Sequence, residues 1–225
     1  ASLAGVPCDV RAVTAPLVAD LHATGRLVPG SDGMLGRVRT ALAMRGDSPR
    51  PEVSTPESLK DTLLAASVIY CPDIQRSTAG AHFGSVLREL GISDLLASRL
   101  RCMPNGTDAM RALASDPSPG AIGCAQATQI RYTPGISLLG ALPPQFELAM
   151  VYTAAVSTHA AEPEQARRFV ELMSGARTRV MRTQVGFEAA PLPAADSSPM
   201  PLVGAGLALA QGVSDAASRM AGFFR

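Results

Sequence analysis

Short apolar runs alternate with stretches of helical periodicity along most of this chain. "CDVRAVT" (8–14) predicts a strand. "APLVADLHATGR" (15–26) predicts a helix, with Leu17, Val18 and Leu21 on one face and Gly25 near its end. "RVRTALAMR" (37–45) predicts a second strand. A Pro-rich connector follows, then a helix, with Thr55 as N-cap and Pro56 at the first helical position. Strand "SVIYC" (67–71) leads through "DIQRSTAGAHFG" (73–84) into a helix over 80–90, which Gly91 ends. "ISDLLASRL" predicts a short helix. "RCMPNG" holds a strand end, and "TDAMRALASD" reads as a helix capped by Thr107 or Asp108. "PGAIGCAQ", "ISLLGALPP" and "FELAMVYTAAVS" read as strands. In "EPEQARRFVELMSG" residues Ala166, Phe169, Val170 and Met173 share one helical face, and a shorter helix follows in "ARTRVMRTQVGF".

This alternation predicts an α/β protein with open, mostly parallel sheets flanked by helices. At 225 residues, two lobes fit better than one. The expected division has residues 1–45 as the first part of lobe one and 46–145 as lobe two. Residues 146–190 make the return crossing and further helices. Residues 191–225 are a linker plus a strand–helix element.

In open parallel sheets, ligands sit outside the carboxyl ends of the strands. Three turns there carry small or polar residues: "VTAPL" (13–17), "RSTAGA" (76–81) and "NGTDAM" (105–110). Each opens a helix, so each offers unpaired backbone N–H groups and the positive end of a helix dipole. Such turns hold an anion without a cationic side chain. Singly, each also reads as an ordinary cap, since Ser, Thr and Asp cap helices everywhere. Three in one chain point to a shared cleft. Arg76 either adds charge there or stands as a solvated surface residue. Gln126, after "AIGCA", either presents an amide to the cleft or is a polar loop residue.

Composition narrows the field. Net charge is +1 with acids and bases interspersed, which argues against a nucleic-acid partner. Aromatic residues make up 4% and Trp is absent, so stacking platforms are not expected. No apolar run approaches the roughly 20 residues of a membrane span. Cys8, Cys71, Cys102 and Cys124 are widely spaced without a C-x-x-C, so no metal is expected. Three of them lie in apolar runs, where a small buried thiol is the ordinary reading; a disulfide is open in an oxidising compartment. Neither G-x-x-x-x-G-K-[ST] nor G-x-G-x-x-G occurs, so no nucleotide cofactor is expected by the common routes. His22, His82 and His159 lie far apart, and no Ser–His–Asp or Cys–His arrangement has local support. The residue types suit binding, not catalysis.

The segments "CDVRAVTAPLVADLHATGRL", "STPESLKDTLLAASVIYCPDIQRSTAGAHFGSVLRELGI" and "EPEQARRFVELMSGARTRVMRTQVGFE" resemble the molybdate-binding type of periplasmic solute-binding protein of ABC transporters. The resemblance covers roughly residues 4 to 188. It implies a type II periplasmic-binding-protein fold with two α/β lobes, a hinge of two crossing strands, and a tetrahedral oxyanion trapped between the lobes by hydroxyls and N–H groups. The location implied is periplasmic or extracellular, and the partner an ABC transporter membrane subunit. The family's donor in the turn of small residues falls on Ala79, with Ser77 and Thr78 beside it. The donor at the start of the next helix falls near Ala109. The tyrosine that molybdate binders use after the following strand falls on Gln126, an amide. Thr14 would face these from lobe one.

The family's opening strand and its two serine-bearing turns have no counterpart before residue 1, which corresponds to a point late in the second helix. The expectation is that residues 200–225 dock into lobe one and supply its missing strand. A tandem or swapped arrangement, or a plain extra helix, are the alternatives. The competing function is the ligand-sensing domain of a transcription regulator with the same fold, which predicts an attached helix-turn-helix.

Overall fold

A computed structural model of the protein describes residues 8–46 and 50–189. Residues 200–225, expected to complete lobe one, lie outside them. Seven strands and eight α-helices follow in chain order. They are β1 (Val10–Thr14), α1 (Ala15–Ala23), β2 (Gly33–Arg45), α2 (Pro56–Ala65), β3 (Ile69–Pro72), α3 (Thr78–Glu89), α4 (Ser93–Leu96), β4 (Leu100–Met103), α5 (Gly106–Ser115), β5 (Ile122–Gln126), α6 (Ala127–Tyr132), β6 (Ile136–Ala141), β7 (Ala149–Val156), α7 (Pro163–Ser174) and α8 (Arg179–Gln184). Most elements match the periodicity. Two do not: β2 begins four residues earlier than expected, and α6 was not anticipated. Among the described residues, no helix is long and apolar enough to cross a membrane.

The chain divides into two compact units, with β2 and β7 running from one into the other. In the first unit (described residues 8–38 and 150–189), β1 pairs antiparallel with β7, from Val10 opposite Val156 to Thr14 opposite Tyr152. Val13, Val18, Leu27 and Ala155 form its core, with Leu21 packed against them. Asp9 anchors α7: its carboxylate accepts from the N–H groups of Ala161 (2.8 Å) and Glu162 (3.3 Å), where the helix dipole favours negative charge. Of the predicted α7 face, Ala166 and Val170 are buried, while Phe169 and Met173 are half-buried. The early part of β2 is fixed from afar. A Cβ on Gly33 would stand 2.7 Å from Val170 and 2.6 Å from Ser174, and Gly36 has φ 136° against the Glu188 carbonyl. Arg37 exchanges both backbone hydrogen bonds with Glu188, at 2.9 and 2.7 Å.

In the second unit (described residues within 39–149), β4, β3 and β5 run parallel with β3 in the middle. β2 closes antiparallel on β5, and β6 pairs antiparallel with β2. The expected parallel sheet is thus only the three strands β5, β3 and β4 at one side, with antiparallel β2 and β6 beyond them. Every residue of β5 is buried, as a strand covered on both faces requires. Ile122 and Cys124 point to one face. There they join Leu59 and Leu63 of α2, Ile69 and Cys71 of β3, and Phe83, Val86 and Leu87 of α3. The other face takes α5. A Cβ on Gly123 would meet Met110 at 2.5 Å and Leu113 at 2.9 Å. Tyr70, between Ile69 and Cys71, donates its hydroxyl to Asp116 at the end of α5 (2.9 Å). So α3 and α5 cover opposite faces of one sheet. Of the cysteines, Cys71 and Cys124 are buried, Cys8 is half-buried and Cys102 is exposed. A third buried thiol was expected. It is missing because β4, among the described residues, is the edge of this sheet, with β3 as its neighbour.

Candidate functional site

The turn between β3 and α3 is built by Asp73. Its Oδ1 accepts from the N–H groups of Gln75 (2.8 Å) and Arg76 (3.0 Å), and its carbonyl accepts from Ser77 N–H at 3.0 Å. Ser77 is buried and extended (φ −105°, ψ 136°), and its hydroxyl caps α3 by accepting from Gly80 N–H over a long 3.4 Å. Thr78 and Ala79 are the first two helical residues, so their N–H groups precede any intrahelical acceptor. Ala79 is buried and Thr78 half-buried. Arg76 is exposed, with its N–H engaged by Asp73.

The second turn differs from expectation. Asn105, not Thr107 or Asp108, caps α5: its Oδ1 accepts from Asp108 N–H at 2.9 Å, and its Nδ2 donates to the Asp108 carboxylate at 2.8 Å. The helix therefore starts at Gly106. Ala109 lies one turn further in, fully buried, with its N–H bonded to the Asn105 carbonyl at 3.1 Å. The N–H groups at the helix opening belong to Gly106 and Thr107.

Gln126 ends β5 and caps α6. It is 4% exposed, and its side chain accepts from the Gln129 backbone while Gln129 Oε1 accepts from Gln126 N–H at 3.2 Å. Sequence reading missed Gln129; the Q-x-x-Q spacing of a capping box was its signal. The same Oε1 stands 2.1 Å from where a Cβ on Gly106 would lie, so a larger residue there would require the Gln129 amide to move.

Ser77, Thr78, Ala79, Gly106, Thr107 and Gln126 thus gather at the carboxyl ends of three hydrogen-bonded parallel strands. β3 and β4 are neighbours, yet their following helices leave to opposite faces, the arrangement at whose strand ends open α/β sheets bind ligands. Asp73 N–H donates to the Met103 carbonyl at 2.7 Å, holding the two ends together. Thr14 belongs to the first unit. It ends β1 and precedes α1, with an extended backbone and a hydroxyl that makes no capping bond. Two of the histidines are engaged by other groups: His22 pairs with Asp32 at 2.9 Å, and His82 Nε2 lies 2.8 Å from the Phe146 carbonyl.

A family model for bacterial extracellular solute-binding proteins matches residues 2–188. A solved periplasmic molybdate-binding protein from Azotobacter vinelandii superposes with a TM-score of 0.65 at 19% identity, covering 83% of this chain and 80% of its own. The sulfate-binding protein of Mycobacterium tuberculosis superposes with a TM-score of 0.56 at 13% identity, over 82% of this chain and 69% of its own. At such identities these likenesses establish the two-lobed α/β fold. An aconitate isomerase from a Pseudomonas species is 26% identical over 172 residues, 75% of this chain; the chain spans 62% of that relative's length.

Proposed function

Because this chain belongs to the bacterial extracellular solute-binding proteins, we propose that it captures a small anion without chemistry and delivers it to the membrane subunit of an ABC transporter from the periplasmic side. The observation that carries this reading is the pair of helix openings at the carboxyl ends of β3 and β4. Two helices open there, and the N–H groups of Thr78, Ala79, Gly106 and Thr107 precede any intrahelical acceptor. The Ser77 and Thr78 hydroxyls and the Gln126 amide are the side-chain donors beside them. Thr14 is the corresponding turn residue of the first unit. Ala109 contributes packing under the helix start, its N–H being engaged.

The ligand class is an oxyanion of the molybdate or sulfate type, or a small carboxylate. Two of the solved neighbours are named as molybdate- and sulfate-binding proteins, and the Pseudomonas relative as an aconitate isomerase. Hydroxyls, amides and N–H groups hold negative charge but supply no general base, so the reading is non-catalytic. A thermal-shift screen with molybdate, tungstate, sulfate, phosphate, citrate and aconitate tests it. At least one anion is expected to raise the unfolding temperature by mass action, and no shift with any of them would sink the reading. Aconitate is expected to keep its isomer ratio on incubation, followed by NMR; isomerisation would overturn the non-catalytic part. Thr78→Pro is the focused variant. Proline suits the first helical position, and Ser77 already has the extended backbone that a residue before proline needs. It deletes one N–H and one hydroxyl. Affinity for the anion that shifts the wild type should fall about 10- to 150-fold, a hydrogen bond to a charged group being worth about 1.5–3 kcal/mol. Unaltered affinity would move the site away from α3.

A further inference from the structure

Cys71 and Cys102 are direct register partners on the neighbouring parallel strands β3 and β4, one residue before each strand ends. Their Sγ atoms are 3.8 Å apart. Paired strands lie about 4.7–4.9 Å apart, inside the roughly 4.4–6.8 Å Cα separation that a disulfide spans. The two sulfurs need only side-chain rotation to meet. Their environments also divide the labour of oxidation. Cys102 is exposed on the edge strand, open to a reagent, whereas Cys71 is fully buried. Burial, and then the neighbouring Cys102, push the Cys71 thiol up, so it stays protonated and inert until a partner sulfur is presented to it. Cys124 is buried on the same face of β5, and Cys8 belongs to the other unit. The extracellular setting of the family is one where disulfides form and persist.

We propose that Cys71 and Cys102 form a disulfide in the exported protein, joining β3 to β4 directly behind the two helix openings. The oxidant is a disulfide donor, R–S–S–R. The Cys102 thiolate attacks one of its sulfurs and expels RS⁻, leaving a mixed disulfide on Cys102. Cys71 gives up its proton to the departing thiolate or to water, and its sulfur attacks Cys102 Sγ. The Cys71–Cys102 bond forms and the second RS⁻ leaves. Two protein thiols are oxidised to one disulfide, and the donor is reduced to two thiols.

The test is peptide mapping of the full chain after treatment with oxidised glutathione, with alkylation in denaturant before digestion and no reductant. The expected result is a Cys71 peptide linked to a Cys102 peptide, with alkylatable thiols reduced by two and Cys8 and Cys124 still free. Cys102→Ser, at an exposed position, should fold and show Cys71 fully alkylatable after the same treatment. Cys102 carrying glutathione while Cys71 remains free, Cys102 linked to Cys8, or both thiols unreacted would each overturn the proposal. The mapping uses no anion, so its outcome is independent of the ligand screen.

Discussion

At Gly80 an added Cβ would stand 2.2 Å from the carbonyl oxygen of Asp73 and 2.5 Å from that of Pro72. Both are backbone atoms, so neither can step aside cheaply. Gly84, one turn further along α3, would place its Cβ 3.4 Å from Ile74, an ordinary contact. The two glycines of one helix should therefore respond oppositely to alanine. Gly80→Ala is expected to destabilise by about 1–3 kcal/mol through forced displacement of the turn. Gly84→Ala should be neutral or stabilise by up to about 1 kcal/mol through helix propensity. Urea unfolding of both variants checks this, and equal losses would refute the close approach at Gly80. The residues 77–80 were legible because Ser, Thr, Ala and Gly follow an apolar run and precede an amphipathic one. Ala109 was not placed correctly as a donor. "NGTD" offers three capping residues within four positions, and capping by Asn105 brings Gly106 against Gln129, a contact with no local trace.

The helices and strands of the second unit are joined by a few polar contacts whose loss can be measured one element at a time. Asn105→Ala removes both bonds that start α5 and should cost about 1 kcal/mol, with Asn105→Ser restoring most of it. At the other end of α5, the Tyr70–Asp116 hydrogen bond gives a pH signature. Desolvation first, and then Asp116, raise the Tyr70 phenol above its ordinary 10.0. The folded state holds this proton more tightly than the unfolded chain does. The contribution is complete below about pH 10 and declines as pH rises through the folded value. Asp116 is held below the ordinary carboxylate value by hydrogen bonds from Ser118 and then Tyr70. Its contribution is present above that ordinary value and is lost as pH falls through the lowered one. Tyr70→Phe should flatten the alkaline decline in stability; an unchanged slope in urea titrations at pH 9 to 11 would show that another group sets it. Helix α6 was invisible to periodicity because six residues are too few to repeat a face. The first residues of β2, "GMLG", fell outside the strand expected from the sequence because their strand geometry depends on Val170, Ser174 and Glu188, more than a hundred residues away.

Across the whole molecule, stability is expected to be uneven. β5 is buried throughout and flanked by β2 and β3, whereas β1, among the described residues, pairs only with β7. Amides of β5 should therefore exchange with deuterium most slowly and those of β1 much faster; equal protection would contradict this ordering. The α/β character and most element positions were readable from alternation, since buried parallel strands leave continuous apolar runs such as "AIGCA". The wiring was not, because antiparallel partners so far apart leave no local signal. That wiring has a consequence for how the protein is made. Among the described residues the second unit lies within one stretch of the chain, while the first is assembled from segments on both sides of it. On a ribosome adding about 5–20 residues per second, β1 waits roughly seven to thirty seconds before β7 emerges to pair with it. Throughout that interval it lacks its β7 partner. Asp9 and Arg11 put charge at its head and within it, as gatekeepers do for segments that must wait without sticking.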